Sequence, residues 1–301
     1  MVYGLIAAMG WGLSAVAATH AARRAGTYLA VLSGQALGVV VLLLLVGLIQ
    51  PSFAGAGGTV ALSLAGAGLL GLLGYLTFYR ALEYGGAVGL VSSISATYGG
   101  VTTVLAVTLL GEHLGVVGAV GVALAVAGVA LAAARPATGA SIAIGEPIVG
   151  LAPAAPTTIR SLSRAGVPLA MACALSYGFG GFLLGRYSSR AGWLPAALVA
   201  HGASVTVLLL ALPLFGRRAP RRGSASGVAW AAAAGLTDVV GLLAFSRGGQ
   251  IGQVAVTAAV SSVYPVIPLV GGILLFGEHL SRRQLAGVAG IIVGLVLIGL
   301  G

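Results

Sequence analysis

Ten apolar stretches of bilayer-crossing length follow one another along this chain, at approximately residues 2-19, 27-49, 59-79, 88-110, 115-133, 167-185, 193-215, 226-246, 252-276 and 284-300. One such stretch fits inside a soluble core; ten leave too little polar surface to meet water. A helix needs about 20 apolar residues to cross a hydrocarbon layer of about 30 Å, and only helices or closed barrels satisfy their backbone groups there. Barrel strands would each show about ten residues of alternating polarity, and nothing here alternates. The expectation is an all-α membrane protein of ten transmembrane helices. Composition agrees: 59% of the 301 residues are hydrophobic and 7% are charged, against about 25% charged in a soluble domain. Met1 leads straight into the first apolar stretch, without the charged start and cleavage site of a secretory signal peptide.

The formal net charge is +10, and all fifteen basic residues are Arg. Most sit in short loops between apolar stretches, which is a topology signal and not a nucleic-acid face. Loops after odd-numbered spans hold twelve of them, and the positive-inside rule places those loops in the cytoplasm. Cys173 is alone, which excludes a disulfide framework. His20, His113, His201 and His279 are scattered singly, and none has a partner at metal-site spacing on one helix face. No metal and no other cofactor is expected.

Sliding the sequence against itself by 166 places residues 1-135 on 167-301. Gly-Glu-His-Leu recurs at 111-114 and 277-280, and Arg-Ala-Gly at 24-26 and 190-192. Gly12 falls on Gly178 with Trp11 on Tyr177, Tyr79 on Phe245, and Tyr98 on Tyr264. Charged and aromatic motifs in register are not a chance product of an Ala/Gly/Val/Leu alphabet, so the chain is a tandem duplication. Each copy holds five spans, an odd number, so the second copy enters the membrane in the opposite direction. Inverted repeats of this kind characterise secondary transporters with a substrate site near the midplane. Residues 136-166, broken by Pro136, Pro147, Pro153 and Pro156, form a linker between the copies. Many of the 50 Gly lie inside spans, where small residues let helices approach closely. Their density on the fourth, fifth, ninth and tenth spans predicts that these helices cross tightly.

The chain resembles the drug/metabolite transporter superfamily in its EamA branch. The resemblance rests on an aromatic-Gly pair in the first helix of each half (Trp11-Gly12, Tyr177-Gly178), on Tyr79-Arg80-Ala81-Leu82 closing the third, and on Gly-Glu at 111-112 and 277-278. It covers both halves and leaves out the linker. The Pro usual in the fourth and ninth helices stands here as Pro265 but is replaced by Gly99 in the first copy. Phe245-Ser246-Arg247-Gly248 departs from the Ala-Leu pattern. The resemblance implies ten helices as two inverted five-helix repeats around a central cavity, and both termini on the cytoplasmic side, against the Arg count. Among better-known members, it is similar to amino-acid exporters of the YddG type.

Of five acidic residues, Glu83, Glu112, Glu146 and Glu278 lie at span ends or in loops. Glu112 and Glu278 precede the fifth and tenth helices, whose first-turn N–H groups a carboxylate there can accept. Asp238 is different, because it lies near the middle of the eighth span, and an intramembrane carboxylate costs roughly 3 kcal/mol or more. It is a candidate counter-ion or proton site; the competing role is a hydrogen bond to Ser, Thr or His201 of another helix. His201, within the seventh span, either titrates or bonds a backbone carbonyl. Ser95, Tyr98 and Thr102 in the fourth span, and Thr257, Ser261, Tyr264 and Pro268 in the ninth, fall at steps of three and four, each set on a single helix face. That polar stripe is a candidate cavity lining, and its competing role is interhelical hydrogen bonding. Trp11, Tyr79, Tyr177 and Phe245 are candidate aromatic walls, with Tyr79 and Phe245 near enough to span ends to act as interface anchors instead. The expected substrate-binding set is therefore Trp11, Tyr79, Ser95, Tyr98, Tyr177, Asp238, Phe245, Ser261 and Tyr264.

The functional expectation is a transporter in a bacterial inner membrane, a monomer in the lipid bilayer. It moves small metabolites such as amino acids, and exports them by alternating access, without catalysis. The alternatives are a membrane-embedded enzyme acting on lipid-linked substrates, which would need clustered catalytic groups, and a passive channel.

Overall fold

A computed structural model describes residues 2–84, 86–111, 115–133, 166–215, 225–251, 254–278 and 280–300. Glu112, Glu146, His113, His279 and most of the 136-166 linker lie outside the described residues. Every regular element among those described is helical. In chain order they are α1 (Val2–Ala25), α2 (Thr27–Ile49), α3 (Gly58–Glu83), α4 (Val88–Ser95), α5 (Tyr98–Leu110) and α6 (Val116–Ala133), then α7 (Gly166–Ala191), α8 (Trp193–Phe215), α9 (Ala225–Ile251), α10 (Val254–Ser261), α11 (Val266–Phe276) and α12 (Arg282–Leu300). A 3-10 turn, Ala54–Ala56, precedes α3. Helices α4 and α5 together make one span, as do α10 and α11. Counted so, eight segments are long and apolar enough to cross a membrane, and α6 carries a shorter apolar run, Val116–Gly128. Large side chains on their outer faces stay exposed, among them Leu44, Leu48, Leu62, Leu210 and Leu274. In a bilayer those faces meet lipid.

The repeated motifs have a physical basis in the turns. Gly26 and Gly192 end the two Arg-Ala-Gly motifs with φ of 79° and 85°, and their N–H groups donate to Ala22 and Ser188. Gly111 and Gly277 end α5 and α11 in the left-handed region, with φ of 68° and 62° and N–H groups on Ala106 and Gly272. Glycine adopts this conformation without the Cβ penalty, so it stops the helix and turns the chain.

The carboxylate after Gly277 does not cap the helix that follows it, as the sequence suggested. Glu278 reaches across the molecule to the start of α4, where Oε1 accepts from the Val88 N–H at 2.6 Å and Oε2 from the Gly89 N–H at 3.3 Å. Arg23 of α1 stands 4.0 Å from Glu278, donates to the Gly86 carbonyl, and lies 5.1 Å over the Phe276 ring. Glu83 plays a similar part for α2, accepting from the Thr27 N–H and hydroxyl.

Long helices pair across the two halves: α1 packs on α9, α3 on α7, and α6 along α12. The tight approach expected of the fifth and tenth spans is present in the last pair, where a Cβ on Gly121 would lie 2.6 Å from the Gly294 carbonyl, and the converse distance is the same. The fourth and ninth spans also meet closely. A Cβ on Gly99 would lie 1.9 Å from the Ser262 hydroxyl, which is why the first copy has glycine where the second has Pro265. Pro265 in turn precedes α11 at φ −63°, closing the Ser262–Pro265 turn that breaks the span.

Candidate functional site

A central cavity of about 120 Å³ lies between α1, α3, α7, α8 and α9. A single water needs roughly 10–15 Å³ by this measure, so the space suits a small organic solute. Small residues of α1, α3 and α7, among them Ala15, Ala18, Ala67, Gly71 and Gly181, make up much of its apolar lining.

Seven of the nine expected site residues line it: Trp11, Tyr79, Tyr98, Tyr177 and Phe245 with their rings, Tyr264 from the turn before α11, and Asp238 from α9. The rings form a continuous wall. Trp11 meets Tyr98 edge-on at 6.0 Å and Phe245 at 5.4 Å, and Tyr177 meets Tyr98 at 6.3 Å and Tyr75 at 5.4 Å, both edge-on. Tyr79 and Phe245 are 5% and 1% exposed and are not interface anchors. Helix α3 runs four residues beyond Tyr79 and α9 six beyond Phe245, further than the apolar stretches suggested.

The remaining two, Ser95 and Ser261, are buried but do not line the cavity. The single-face stripe fails because each span breaks at its centre, after Ser95 and after Ser261, so the residues beyond the break turn to a new face. Thr102 donates to the Gly178 carbonyl at 2.9 Å, an interhelical bond. The tyrosine hydroxyls are also taken up within the protein. Tyr98 pairs with the Ser261 hydroxyl at 2.7 Å, and Tyr264 donates to the Ser92 carbonyl at 3.1 Å. Both bonds join one half to the other, and both rings keep a face toward the cavity.

Asp238 is 4% exposed, and the Tyr75 hydroxyl donates to its carboxylate at 2.8 and 2.7 Å. Tyr75, which the sequence reading passed over, is thus the partner that Ser, Thr or His201 was expected to supply. His201 does line the cavity, with Nε2 buried and unpartnered. Ser14 and Ser204 line it too, bonded to the carbonyls of Ala234 and Gly68. Tyr75 carried one available signal. Its counterpart is Gly241, just as Leu72 is the counterpart of Asp238, so each is a polar group that duplication did not supply.

A bundle of apolar, membrane-crossing helices around a cavity walled by rings and one carboxylate has the architecture of a multi-pass membrane protein. The chain matches the EamA-like transporter family over residues 1–134 and again over 164–300, and it belongs to that family of membrane transporters. No curated protein sequence matches it closely enough to name a relative. Among solved structures, one crystal structure of a protein shares the fold with a TM-score of 0.68, at 16% identity over 99% of this chain and 96% of its own.

Proposed function

We propose that this protein is a secondary transporter that exports small amphipathic metabolites, amino acids and aromatic ones foremost, across a bacterial inner membrane by alternating access. It works as a monomer of ten helices in two inverted five-helix repeats, 1-135 and 167-301, joined by the 136-166 linker. The observation that carries the reading is the cavity itself, walled from both halves by Trp11, Tyr98, Tyr177, Phe245 and Tyr264, with Asp238 beside them. Rings accept an apolar or aromatic body, and the carboxylate is a counter-charge for an ammonium.

The pairing of helices supports the inverted arrangement. A Cβ on Gly12 would meet Ile267 and the Tyr264 carbonyl, and a Cβ on Gly178 would meet Val101 and the Tyr98 carbonyl. These two contacts are one contact, moved by 166 residues. Substrate between such halves contacts both, as rocking of one repeat against the other requires.

The test is counterflow of labelled amino acids and related amines into liposomes holding the purified protein. Saturable exchange by one class of solute supports the carrier. Non-saturating flux would make it a channel, and turnover of a lipid-linked substrate in detergent would make it an enzyme.

A further inference from the structure

We propose that Gln35, Tyr75 and Asp238 form a second binding site, for one small, hard, monovalent cation of the sodium kind, set behind the wall of the substrate cavity. A separate void of about 10 Å³ lies where α2, α3 and α9 meet, lined by these three residues with Tyr79 and the closely packed Gly34 and Gly235. It is of the order of one water, which needs roughly 10–15 Å³, so it excludes a metabolite and suits a single ion.

The lining offers several acceptors: the Gln35 carbonyl oxygen, the Tyr75 oxygen and the Asp238 carboxylate. Gln35 is 4% exposed and its Oε1 has no partner. The single proton of Tyr75 is already given to Asp238. A carboxylate has about four acceptor positions and a tyrosine oxygen keeps lone pairs of its own. Three oxygen-bearing side chains line the space, and oxygen acceptors select a hard cation over a soft one. No Arg side chain lines the void to neutralise Asp238. One carboxylate balances one positive charge, which makes the ion monovalent. Charges inside a membrane pair with a partner or mark an ion path.

The site spans both halves and has no duplicate at the repeat-related position. The counterpart of Gln35 is His201 and that of Asp238 is Leu72, so the duplicate position lacks the carboxylate. Asp238, Tyr75 and Tyr79 line both spaces. An ion behind Asp238 therefore changes the charge that a solute meets in front of it, and this couples ion to substrate through one shared carboxylate.

The experiment is thermal melting of the full-length purified protein in detergent, with sodium chloride replaced stepwise by choline chloride at constant ionic strength. A bound ion at saturation raises the melting temperature by roughly 3 °C or more. Gln35→Leu should abolish that rise while melting like the wild type in choline. If Gln35→Leu does not fold, Gln35→Glu, which keeps the oxygen, must retain the rise. Equal melting in both salts, a sodium rise undiminished in Gln35→Leu, or a response to pH alone would each overturn the site. Melting requires no transport, so solute counterflow with no sodium response would remove the ion site and leave the transport reading standing. A sodium response without counterflow by any solute would do the reverse.

Discussion

The Tyr75 hydroxyl is shared between both carboxylate oxygens of Asp238, at 2.8 and 2.7 Å, and this one proton ties α3 of the first half to α9 of the second. Neither residue has a like counterpart in the other copy, since Leu72 and Gly241 stand in their places. Leu72 and Tyr75 lie one turn apart on α3, and Asp238 and Gly241 one turn apart on α9. Two facing helix surfaces thus carry a donor on one and an acceptor on the other, at the edge of the cavity.

Asp238→Asn should therefore leave the protein folded, because asparagine still accepts from Tyr75, while solute counterflow falls at least about tenfold, the loss expected when a charged partner worth about 1.4 kcal/mol or more is removed. Tyr75→Phe removes the donor and leaves the carboxylate short of a partner, at a cost of about 1.5–3 kcal/mol in stability. Melting and counterflow measured on both variants separate the two effects. Wild-type kinetics in Asp238→Asn at every pH would reduce Asp238 to a packing residue.

Glu278 carries a prediction about pH. Burial pushes its carboxyl above the ordinary value of 4.5, and the Val88 and Gly89 N–H groups and the Arg23 guanidinium pull it partly back. The folded protein thus holds this proton more tightly than the unfolded chain does. Its contribution to stability is fully present below about pH 4.5 and is lost as pH rises through the raised folded value. Glu278→Gln cannot titrate, so the melting temperature of wild type minus that of the variant should fall as pH rises from 4 toward 8. A flat difference would refute the raised value. Glu278→Ala should cost about 1–3 kcal/mol near pH 4.5 and less as pH rises, because it strands the first N–H groups of α4.

Much of this arrangement was visible in the residue pattern, for reasons that can be named. Apolar length reports a bilayer crossing directly, and Gly111, Gly277, Gly26 and Gly192 recur because four turns need a positive φ that other residues resist. Rings that face the cavity recur with them. The reach of Glu278 to α4 was not legible, because a capping motif read along the chain points to the next helix, and only the tertiary packing brings Val88 closer. The breaks after Ser95 and Ser261 were hidden for a similar reason. Only the second has a proline beside it, so a helical stripe drawn through the first looked continuous. Tyr75 and Gln35 escaped because matching the copies favours what they share, and these two are what they do not share.

Two glycines on α3 offer a test of the packing. A Cβ on Gly68 would fall 1.9 Å from the Ala200 carbonyl, a backbone atom of α8 that cannot swing away. A Cβ on Gly66, half a turn earlier, would meet nothing within 4 Å. Gly68→Ala should force α3 and α8 apart, lower the melting temperature sharply and impair assembly of the cavity. Gly66→Ala should be neutral or stabilise by up to about 1 kcal/mol, since alanine is the better helix former. Equal effects in the two variants would mean that the α3–α8 contact is not as close as described.

The last prediction separates ring from hydroxyl at Tyr98 and Tyr264. Each ring faces the cavity, while each hydroxyl is bonded inside the protein, to Ser261 and to the Ser92 carbonyl. If solute rests on the rings, removing only the hydroxyl should change stability and not affinity. Tyr98→Phe and Tyr264→Phe should each lose about 0.5–1.5 kcal/mol of stability, the net worth of one hydrogen bond, and bind solute within about twofold of wild type. Removing either ring deletes part of the wall, and the Tyr98 ring also positions Trp11 and Tyr177 through edge contacts at 6.0 and 6.3 Å. An aromatic contact contributes about 0.5–1.5 kcal/mol beyond its buried area, so Tyr98→Ala and Tyr264→Ala should weaken binding by about tenfold or more. The measurement is solute affinity from concentration-dependent counterflow, with melting as the control for folding. A Phe variant that loses as much affinity as its Ala partner would show that the hydroxyl leaves its protein partner to bond the solute. Unaltered affinity in both Ala variants would move the binding site away from these two helices altogether.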